Sequence, residues 1–164
     1  MNYSSAGSAE PESRFISAME VALEEASMAI AHGDVPIGAV LLSGDTIVAR
    51  RHNERELRKD PTAHAEILAL RDGAEASGSW RLQQMDLVVT LEPCAMCAGA
   101  LVSARIRKLV HAATDPKAGA CGSLYNLCVD PRLNHQVEVT GGVLEERARR
   151  LLEGFFATVR AGDQ

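Results

Sequence analysis

The stretch TAHAEIL at residues 62–68, together with LEPCAMC at residues 91–97, decides which fold and chemistry this chain is expected to have. The two stretches supply one imidazole, from His64, and two thiols, from Cys94 and Cys97. A zinc ion held by three protein ligands keeps a fourth position for water, which is the usual arrangement in catalytic rather than structural zinc sites. The pattern therefore predicts a catalytic zinc site with His64, Cys94 and Cys97 as its ligands.

Glu66 turns this predicted metal site into a predicted enzyme. His-x-Glu followed by Pro-Cys-x-x-Cys is typical of zinc-dependent nucleobase deaminases, in which the glutamate is the general acid and base and not a ligand. Each half alone occurs in many unrelated proteins, whereas the two together are specific. Zinc lowers the pKa of a bound water toward about 7. Glu66 would then accept the proton of that water, pass it to a ring nitrogen and assist the departure of ammonia.

Length and composition indicate a single globular domain. The chain has 164 residues, of which 46% are apolar and 24% charged, close to the average soluble protein. A chain of this size can bury a core that needs no disulfides. We expect the domain to span residues 13–160, with a disordered N-terminal tail at residues 1–12 and a short tail at residues 161–164.

The location and the partners are constrained by charge and hydropathy. Residues 1–12 have neither a basic start nor an apolar run, so they do not resemble a secretory or transit signal. No stretch has the apolar length that spanning a bilayer requires, and we expect a cytoplasmic protein that does not enter membranes. The net charge of −5 argues against a surface coated in positive charge. The basic clusters at residues 50–59 and 105–108 are either local RNA contacts or solvated faces.

Hydrophobic periodicity predicts alternating helices and strands. The predicted helices span residues 12–32, 63–76, 94–104 and 144–160, and the predicted strands span residues 37–42, 46–51, 85–90, 109–113 and 137–139. Ser13 is a plausible N-cap of the first helix and Gly33 a plausible stop. Residues 114–134 read as a long irregular segment, which is usually functional or mobile in a compact domain. This order indicates an α/β domain with helices on both faces of one sheet.

The predicted ligands lie at two helix starts. His64 and Glu66 are expected in the first turn of their helix, where residues two apart do not share a face, so only the histidine would point at the metal. Pro93 is suited to a helix start, so Cys94 and Cys97 would open the next helix. A helix N-terminus lowers the pKa of a thiol, which favours the thiolates that zinc requires. Two helix starts are thus expected to converge on one metal.

Several stretches of the chain resemble the bacterial tRNA-specific adenosine deaminases, a family within the cytidine-deaminase-like group. The resemblance extends from about residue 14 to about residue 156. It is carried by Asn53, DVPIGAV at 34–40, DPTAHAE at 60–66, VTLEPCAMCAGA at 89–100, DPK at 115–117, GSL at 122–124 and NH at 134–135. The resemblance implies a three-layer α/β/α sandwich around a mixed five-stranded sheet. It also implies one zinc ion per subunit, a homodimer, and conversion of the wobble adenosine in the anticodon of an arginine tRNA to inosine.

The same resemblance implies roles for residues around the metal. Asn53 should hold the ribose or base of the flipped nucleotide, and Ala65 and Cys94 should offer backbone groups near the reacting atom. The expected wall of the pocket consists of Val35, Pro36 and Ile37. The expected RNA-binding rim consists of Asp115 and Lys117. Because RNA is read with sequence specificity mainly in single-stranded loops, a tRNA anticodon stem-loop is the expected partner.

Two other interpretations remain open on the sequence. The first is a deaminase of a free base or nucleoside, such as guanine, with the same chemistry. The second is a non-catalytic zinc module completed by Cys121, Cys128 or a second histidine, although small buried residues are the simpler account of those two cysteines. The C-terminus also departs from family members that end in a Lys/Arg-rich tail, since residues 155–164 contain one basic residue. Phosphate contacts would then come from other basic residues.

Overall fold

The computed structural model describes residues 12–163 of the chain, so most of the tail expected at residues 1–12 lies outside the described part. Residues 12–163 form five helices and five strands with two short 3-10 turns, at Ile30–His32 and Leu127–Val129. The helices are α1 (Ser13–Ala29), α2 (Arg55–Arg58), α3 (Ala65–Ser77), α4 (Ala95–Ser103) and α5 (Glu145–Gly162), and the strands are β1 (Gly38–Ser43), β2 (Thr46–His52), β3 (Met85–Leu91), β4 (Lys108–Ala113) and β5 (Glu138–Thr140).

The five strands form one mixed sheet in the order β2-β1-β3-β4-β5. β1 pairs antiparallel with β2 and with β3, whereas β3, β4 and β5 run parallel to one another. The hairpin between β1 and β2 turns at Gly44, whose φ of 60° lies in the left-handed region that favours glycine. This confirms the α/β class that the order of elements predicted and the mixed five-stranded sheet that the resemblance implied.

Strand alternation divides the core between the two faces of the sheet. In β1, Val40 and Leu42 pack on the side of α1 and α5, while Ala39 and Leu41 pack on the side of α3 and α4. Successive side chains of a strand point to opposite faces, so each strand contributes to both halves of the core. The result is the three-layer α/β/α arrangement that the resemblance implied.

Gly38 brings α1 close to the sheet. A Cβ at this position would collide with the carbonyl oxygen of Ala22 in α1, so only glycine allows this contact. The N–H of Gly38 donates to the Thr90 hydroxyl at 3.1 Å, which ties the start of β1 to the end of β3. The segment before Gly38 is thereby held at the edge of the sheet where β3 ends.

The observed boundaries correct the predicted ones at four places. Ser13 is the first residue of α1 and does not cap it, since Glu12 is the N-cap and makes no side-chain capping bond. α3 begins at Ala65, so His64 is its N-cap with extended backbone and does not lie in the first turn. The short helix α2 was not predicted, and α5 continues to Gly162, inside the expected tail.

Within residues 12–163, none of the helices combines the length and the apolar character needed to cross a bilayer.

Candidate active site

The three predicted metal ligands come together at the edge of the sheet where the parallel strands β3 and β4 end. His64 is the N-cap of α3, Cys94 is the N-cap of α4, and Cys97 lies in the first turn of α4. The His64 Nδ1 atom lies 3.7 Å from the Cys94 sulfur and 3.5 Å from the Cys97 sulfur. Tetrahedral zinc with ordinary bond lengths separates a nitrogen and a sulfur ligand by about 3.6 Å. The observed distances therefore fit a zinc ion bound by these three atoms.

The group is limited to three ligands. The ligand atoms of His64, Cys94 and Cys97 all lie within 4.8 Å of one another, and no other His, Cys, Asp or Glu of residues 12–163 joins them. Cys121 and Cys128 are buried elsewhere in the core, with their sulfur atoms 3.6 Å apart. The fourth ligand that the non-catalytic interpretation requires, from Cys121, Cys128 or a second histidine, is absent from the described part of the chain. Three protein ligands leave one tetrahedral position for water.

The protonation of the ligands also suits a cation. A hydrogen bond from the Cys97 thiol lowers the pKa of Cys94 to about 3 against the effect of burial, and the His64 imidazole adds to this lowering. The same hydrogen bond, together with burial, raises the pKa of Cys97 above that of an ordinary thiol, and the bond to Cys94 raises the pKa of His64. The three ligands thus share protons that a divalent cation can replace, since metal binding requires deprotonated ligands.

Glu66 is placed as the sequence predicted, beside the ligands but outside their group. It lies in the first turn of α3, is only 4% exposed, and lines the same cavity as His64 and Ala65. Burial is the largest influence on this carboxyl and raises its pKa. A carboxyl that binds a proton more tightly than usual is suited to alternate between acid and base near neutral pH.

A cavity of about 650 Å³ opens at this site. Its volume lies within the range of about 300–1,000 Å³ that is usual for small-molecule sites. Beside His64, Ala65, Glu66 and Leu91, the lining residues are Val35, Ile37, Asn53, Arg55, Thr114, Asp115, Pro116, Lys117, Leu152, Glu153 and Phe156. The structure thus brings most of the predicted substrate residues together at one cavity. Pro36 is buried between Val35 and Ile37, and neither it nor Cys94 is among the lining residues.

One wall of the cavity is held by hydrogen bonds to Asn53 and Asp34. The Asn53 amide nitrogen donates to the Val35 carbonyl at 3.2 Å, and its amide oxygen accepts from the Arg55 N–H at 3.2 Å. Asp34, which the sequence analysis did not single out, accepts the N–H groups of Glu56 and Leu57 at 2.7 and 3.1 Å. Asp34 therefore fixes the start of α2 against the segment that contributes Val35 and Ile37 to the wall.

The opposite wall, residues 114–117, is connected to Glu92. The Glu92 carboxylate is 3% exposed and accepts four hydrogen bonds, from the N–H groups of Asp115, Cys121 and Ser123 and from the Ser123 hydroxyl. Burial raises the pKa of Glu92, but these hydrogen bonds outweigh burial and leave it lowered. Sequence analysis included Glu92 in the motif without giving it a role.

Helix α5 contributes lining residues that the sequence analysis missed. Leu152, Glu153 and Phe156 line the cavity, and Phe156 is 43% exposed. Neighbouring residues of a helix point in directions about 100° apart, and Phe155 is less exposed than Phe156. An apolar stripe often includes two adjacent residues, so the sequence carries no signal that Phe156 lines the cavity.

Comparisons with known proteins agree with this geometry. The family model of the MafB19-like deaminases matches residues 14–160. The tRNA-specific adenosine deaminase of Bacillus subtilis is 49% identical over 142 residues, which are 87% of this chain and 88% of that protein. A structure from work on A-to-I editing by tRNA:A34 deaminases at the wobble position of transfer RNA has a TM-score of 0.80 and 44% identity, covering 83% of this chain and 99% of the other. A guanine deaminase from Nitrosomonas europaea has a TM-score of 0.76 at 26% identity, covering 87% of this chain and 84% of the other.

Proposed function

Because this chain belongs to the MafB19-like deaminase family and to the tRNA-specific adenosine deaminases, we propose that it converts adenosine to inosine at the wobble position of a tRNA anticodon. The reaction is a hydrolytic deamination. The observation that carries this function is the group of His64, Cys94 and Cys97 beside the buried Glu66, at one end of a cavity large enough for a nucleoside. By family resemblance the substrate is an arginine tRNA.

The cofactor of the proposed reaction is one zinc ion per subunit, held by His64, Cys94 and Cys97. Zinc suits this donor set because it takes imidazole and thiolate ligands in tetrahedral geometry. When bound, it supplies a hydroxide nucleophile at neutral pH. Glu66 would move both protons of the attacking water: it takes the first and delivers it to a ring nitrogen of the adenine. It then takes the second from the oxygen newly bonded to the ring carbon and delivers it to the amino group, which departs as ammonia. One carboxyl can serve these transfers in turn because burial keeps its pKa raised.

Asn53 is the proposed anchor for the nucleotide. Its amide group has two N–H donors and an oxygen with two lone pairs. The contacts with Val35 and Arg55 use one donor and one lone pair. One donor and one acceptor remain for the ribose or base, and the two protein contacts hold the amide in one orientation.

The other substrate contacts are proposed from where the residues lie around the cavity. Val35 and Ile37 offer apolar surface to the base, with Pro36 behind them. Ala65 is the first residue of α3, where backbone N–H groups have no partner within the helix. Cys94 is the N-cap of α4, one position earlier relative to its helix. Asp115 and Lys117 form the rim that the anticodon loop meets. An anticodon loop is single-stranded, so its base can be splayed into the cavity at low cost.

We also propose that the active form is a homodimer. The sequence of α4 contains no charged residue, and its outer face includes the small residues Gly99, Ala100 and Ser103. An apolar helix of this kind is normally covered by another element. The exposed apolar side chains Leu124, Tyr125, Val129 and Leu133 provide further surface for a second copy. Equilibrium sedimentation would test the dimer directly.

The place of action proposed for this enzyme is the cytoplasm. Cys94, Cys97, Cys121 and Cys128 are all free thiols. Thiols persist in a reducing compartment, and the proposed tRNA substrate is met there. Fractionation of cells that express the tagged chain would test this placement.

The function is tested by measuring the release of ammonia when the protein is mixed with an anticodon stem-loop. The matched substrates are free adenosine, guanine and cytosine at equal concentration. We expect turnover on the stem-loop, with inosine as the product, and little turnover on the free compounds. Turnover on guanine instead would favour the alternative function, deamination of a free base, which the similarity to the guanine deaminase from Nitrosomonas europaea supports. Bound metal without turnover on any of them would indicate a non-catalytic module.

A further inference from the structure

Glu92 is a buried charge that the deamination chemistry does not use. It directly follows the last residue of β3 and lies two positions before Cys94. Burying a carboxylate is unfavourable unless the surroundings compensate its charge. In residues 12–163, the hydrogen bonds that the Glu92 carboxylate accepts all come from one loop, residues 114–123.

The loop is folded around the Glu92 carboxylate. One oxygen, Oε1, accepts from the Asp115 N–H at 3.3 Å and from the Ser123 hydroxyl at 2.6 Å. The other, Oε2, accepts from the N–H groups of Cys121 and Ser123 at 3.2 and 3.1 Å. Gly119 lies against the same carboxylate, where a Cβ would collide with it. Hydrogen bonds to a charged acceptor are about twice as strong as neutral ones, so these contacts define the path of the loop.

The part of the loop nearest the cavity, residues 115–118, is a tight turn. It is anchored by the hydrogen bond from the Asp115 N–H to Glu92. Asp115 donates its N–H to Glu92, and its own carboxylate accepts from the N–H groups of Lys117 and Ala118 at 3.0 and 3.2 Å. Asp115 and Lys117 both line the cavity. Glu92 therefore sets the position of this wall. Glu92 itself lies at the start of the short segment that leads from β3 to the metal ligand Cys94.

We propose that Glu92 is a positioning residue for substrate binding, which holds residues 114–117 where the RNA loop must meet them. This inference rests on the proposed function, because it names the element that presents the RNA-binding rim. Glu92 neither lines the cavity nor belongs to the group of metal ligands. Its effect is exerted on the binding of substrate, whereas the proton transfers belong to Glu66.

Glu92→Gln is the direct test. Glutamine keeps the size of the side chain but places an N–H₂ group among N–H donors, so at least one of the four hydrogen bonds is lost. We expect KM for the anticodon stem-loop to rise about tenfold, which corresponds to the loss of one hydrogen bond to a charged group. We expect kcat to stay within about twofold and the metal content per chain to stay unchanged, since the ligands are intact. Amide hydrogen exchange in residues 115–123 should become faster.

Two further variants separate positioning from general stability. Asp86 is a fully buried carboxylate at the other end of β3, where it accepts hydrogen bonds from Arg14 and Arg107. Asp86→Asn should lower the unfolding temperature without changing KM or the exchange of residues 115–123. Ser123 is an exposed residue whose hydroxyl donates to Glu92. Ser123→Ala removes this donor and should raise KM about threefold if Glu92→Gln does not fold.

The inference is overturned if Glu92→Gln keeps the wild-type KM and exchange rates, if it loses the metal, or if Asp86→Asn raises KM as much. A failure of the proposed function looks different, because the wild-type chain would then not act on the stem-loop at all. In that case the exchange of residues 115–123 still tests whether Glu92 holds the loop.

Discussion

The chain contains two pairs of cysteines that differ in almost everything except proximity. Cys94 and Cys97 lie at the start of α4, beside the His64 imidazole. Cys121 and Cys128 lie in the core behind α4, where their sulfur atoms are 3.6 Å apart. Two close thiols are therefore common to both pairs, but among residues 12–163 only the first pair has a third ligand beside it.

The difference shows what turns a pair of thiols into a metal site. Cys94 and Cys97 have a helix N-terminus, which stabilises a thiolate, and an imidazole at ligand distance. The second pair shows the same division of pKa, since its hydrogen bond raises the pKa of Cys121 and lowers that of Cys128. What it lacks, within residues 12–163, is an imidazole or carboxylate at ligand distance. The second pair instead supports the first, because the Cys121 sulfur contacts the Pro93 carbonyl directly before Cys94.

The largest expected effect is the loss of metal and activity in Cys97→Ser, compared with Cys128→Ser, which replaces one cysteine of the second pair. Cys97→Ser removes a ligand, so we expect loss of the bound metal and a fall in deamination on the order of 10³-fold or more, since the nucleophile depends on the metal. Cys128→Ser removes a thiol of the second pair and should leave one metal per chain. Metal analysis and single-turnover deamination of both variants check this. Loss of metal from Cys128→Ser would erase the distinction between the pairs.

Glu66→Gln separates metal binding from chemistry within the first site. The ligands are unchanged, so the metal content should stay at one per chain. Loss of the general acid and base should lower kcat by about 10²–10⁴-fold. Metal analysis beside kinetics on the stem-loop gives both quantities. Full activity in this variant would show that another group transfers the protons.

The contrast between the pairs was partly predictable from the sequence. Cys94 and Cys97 have the spacing of ligands and are preceded by Pro93, whereas Cys121 and Cys128 have neither feature. The alternation of apolar residues likewise predicted the five strands and four of the helices. These signals are local, because they depend on the period and spacing of residues along one segment.

The supporting contacts could not be predicted in the same way. The loop that surrounds Glu92 joins residues more than twenty positions apart, and its irregular backbone has no period. Phe156 reaches the cavity only because α5 packs across the sheet beside it. Helix α2 is held by Asp34, which lies about twenty residues earlier in the chain. Such contacts depend on tertiary packing, which a pattern in one segment does not encode.

The pH dependence of thiol alkylation tests whether Cys94 has the lowered pKa that distinguishes it from an ordinary thiol. In protein stripped of metal by a chelator, Cys94 should react with iodoacetamide at a nearly constant rate from pH 5 to pH 8. Its pKa is lowered to about 3, so it is already a thiolate throughout this range. A thiol of ordinary pKa, such as glutathione in the same tube, should react about tenfold faster for each pH unit. Mass spectrometry of the digested protein identifies the modified cysteine.

The two buried residues of the second pair should stay unmodified in the same experiment. Cys121 and Cys128 are at most 6% exposed, so the reagent cannot reach them in the folded protein. A rate at Cys94 that rises tenfold per pH unit would contradict its lowered pKa. Rapid modification of Cys121 would show that the loop opens.

The smallest expected effect is on stability, and it tests whether the second pair is only packing. Cys128→Ala deletes a fully buried sulfur atom between α4 and the segment before β5. We expect the free energy of unfolding to fall by about 1–2 kcal/mol because a small cavity remains, which lowers the unfolding temperature by roughly 2–8 °C for a domain of this size. Ser17→Ala, at an exposed position of α1, is the matched control and should change neither. Metal content and kcat of Cys128→Ala should equal those of the wild type, since the three ligands and Glu66 are untouched. A Cys128→Ala protein that is stable but binds metal weakly would mean that the second pair positions Cys94, which would make it part of the site.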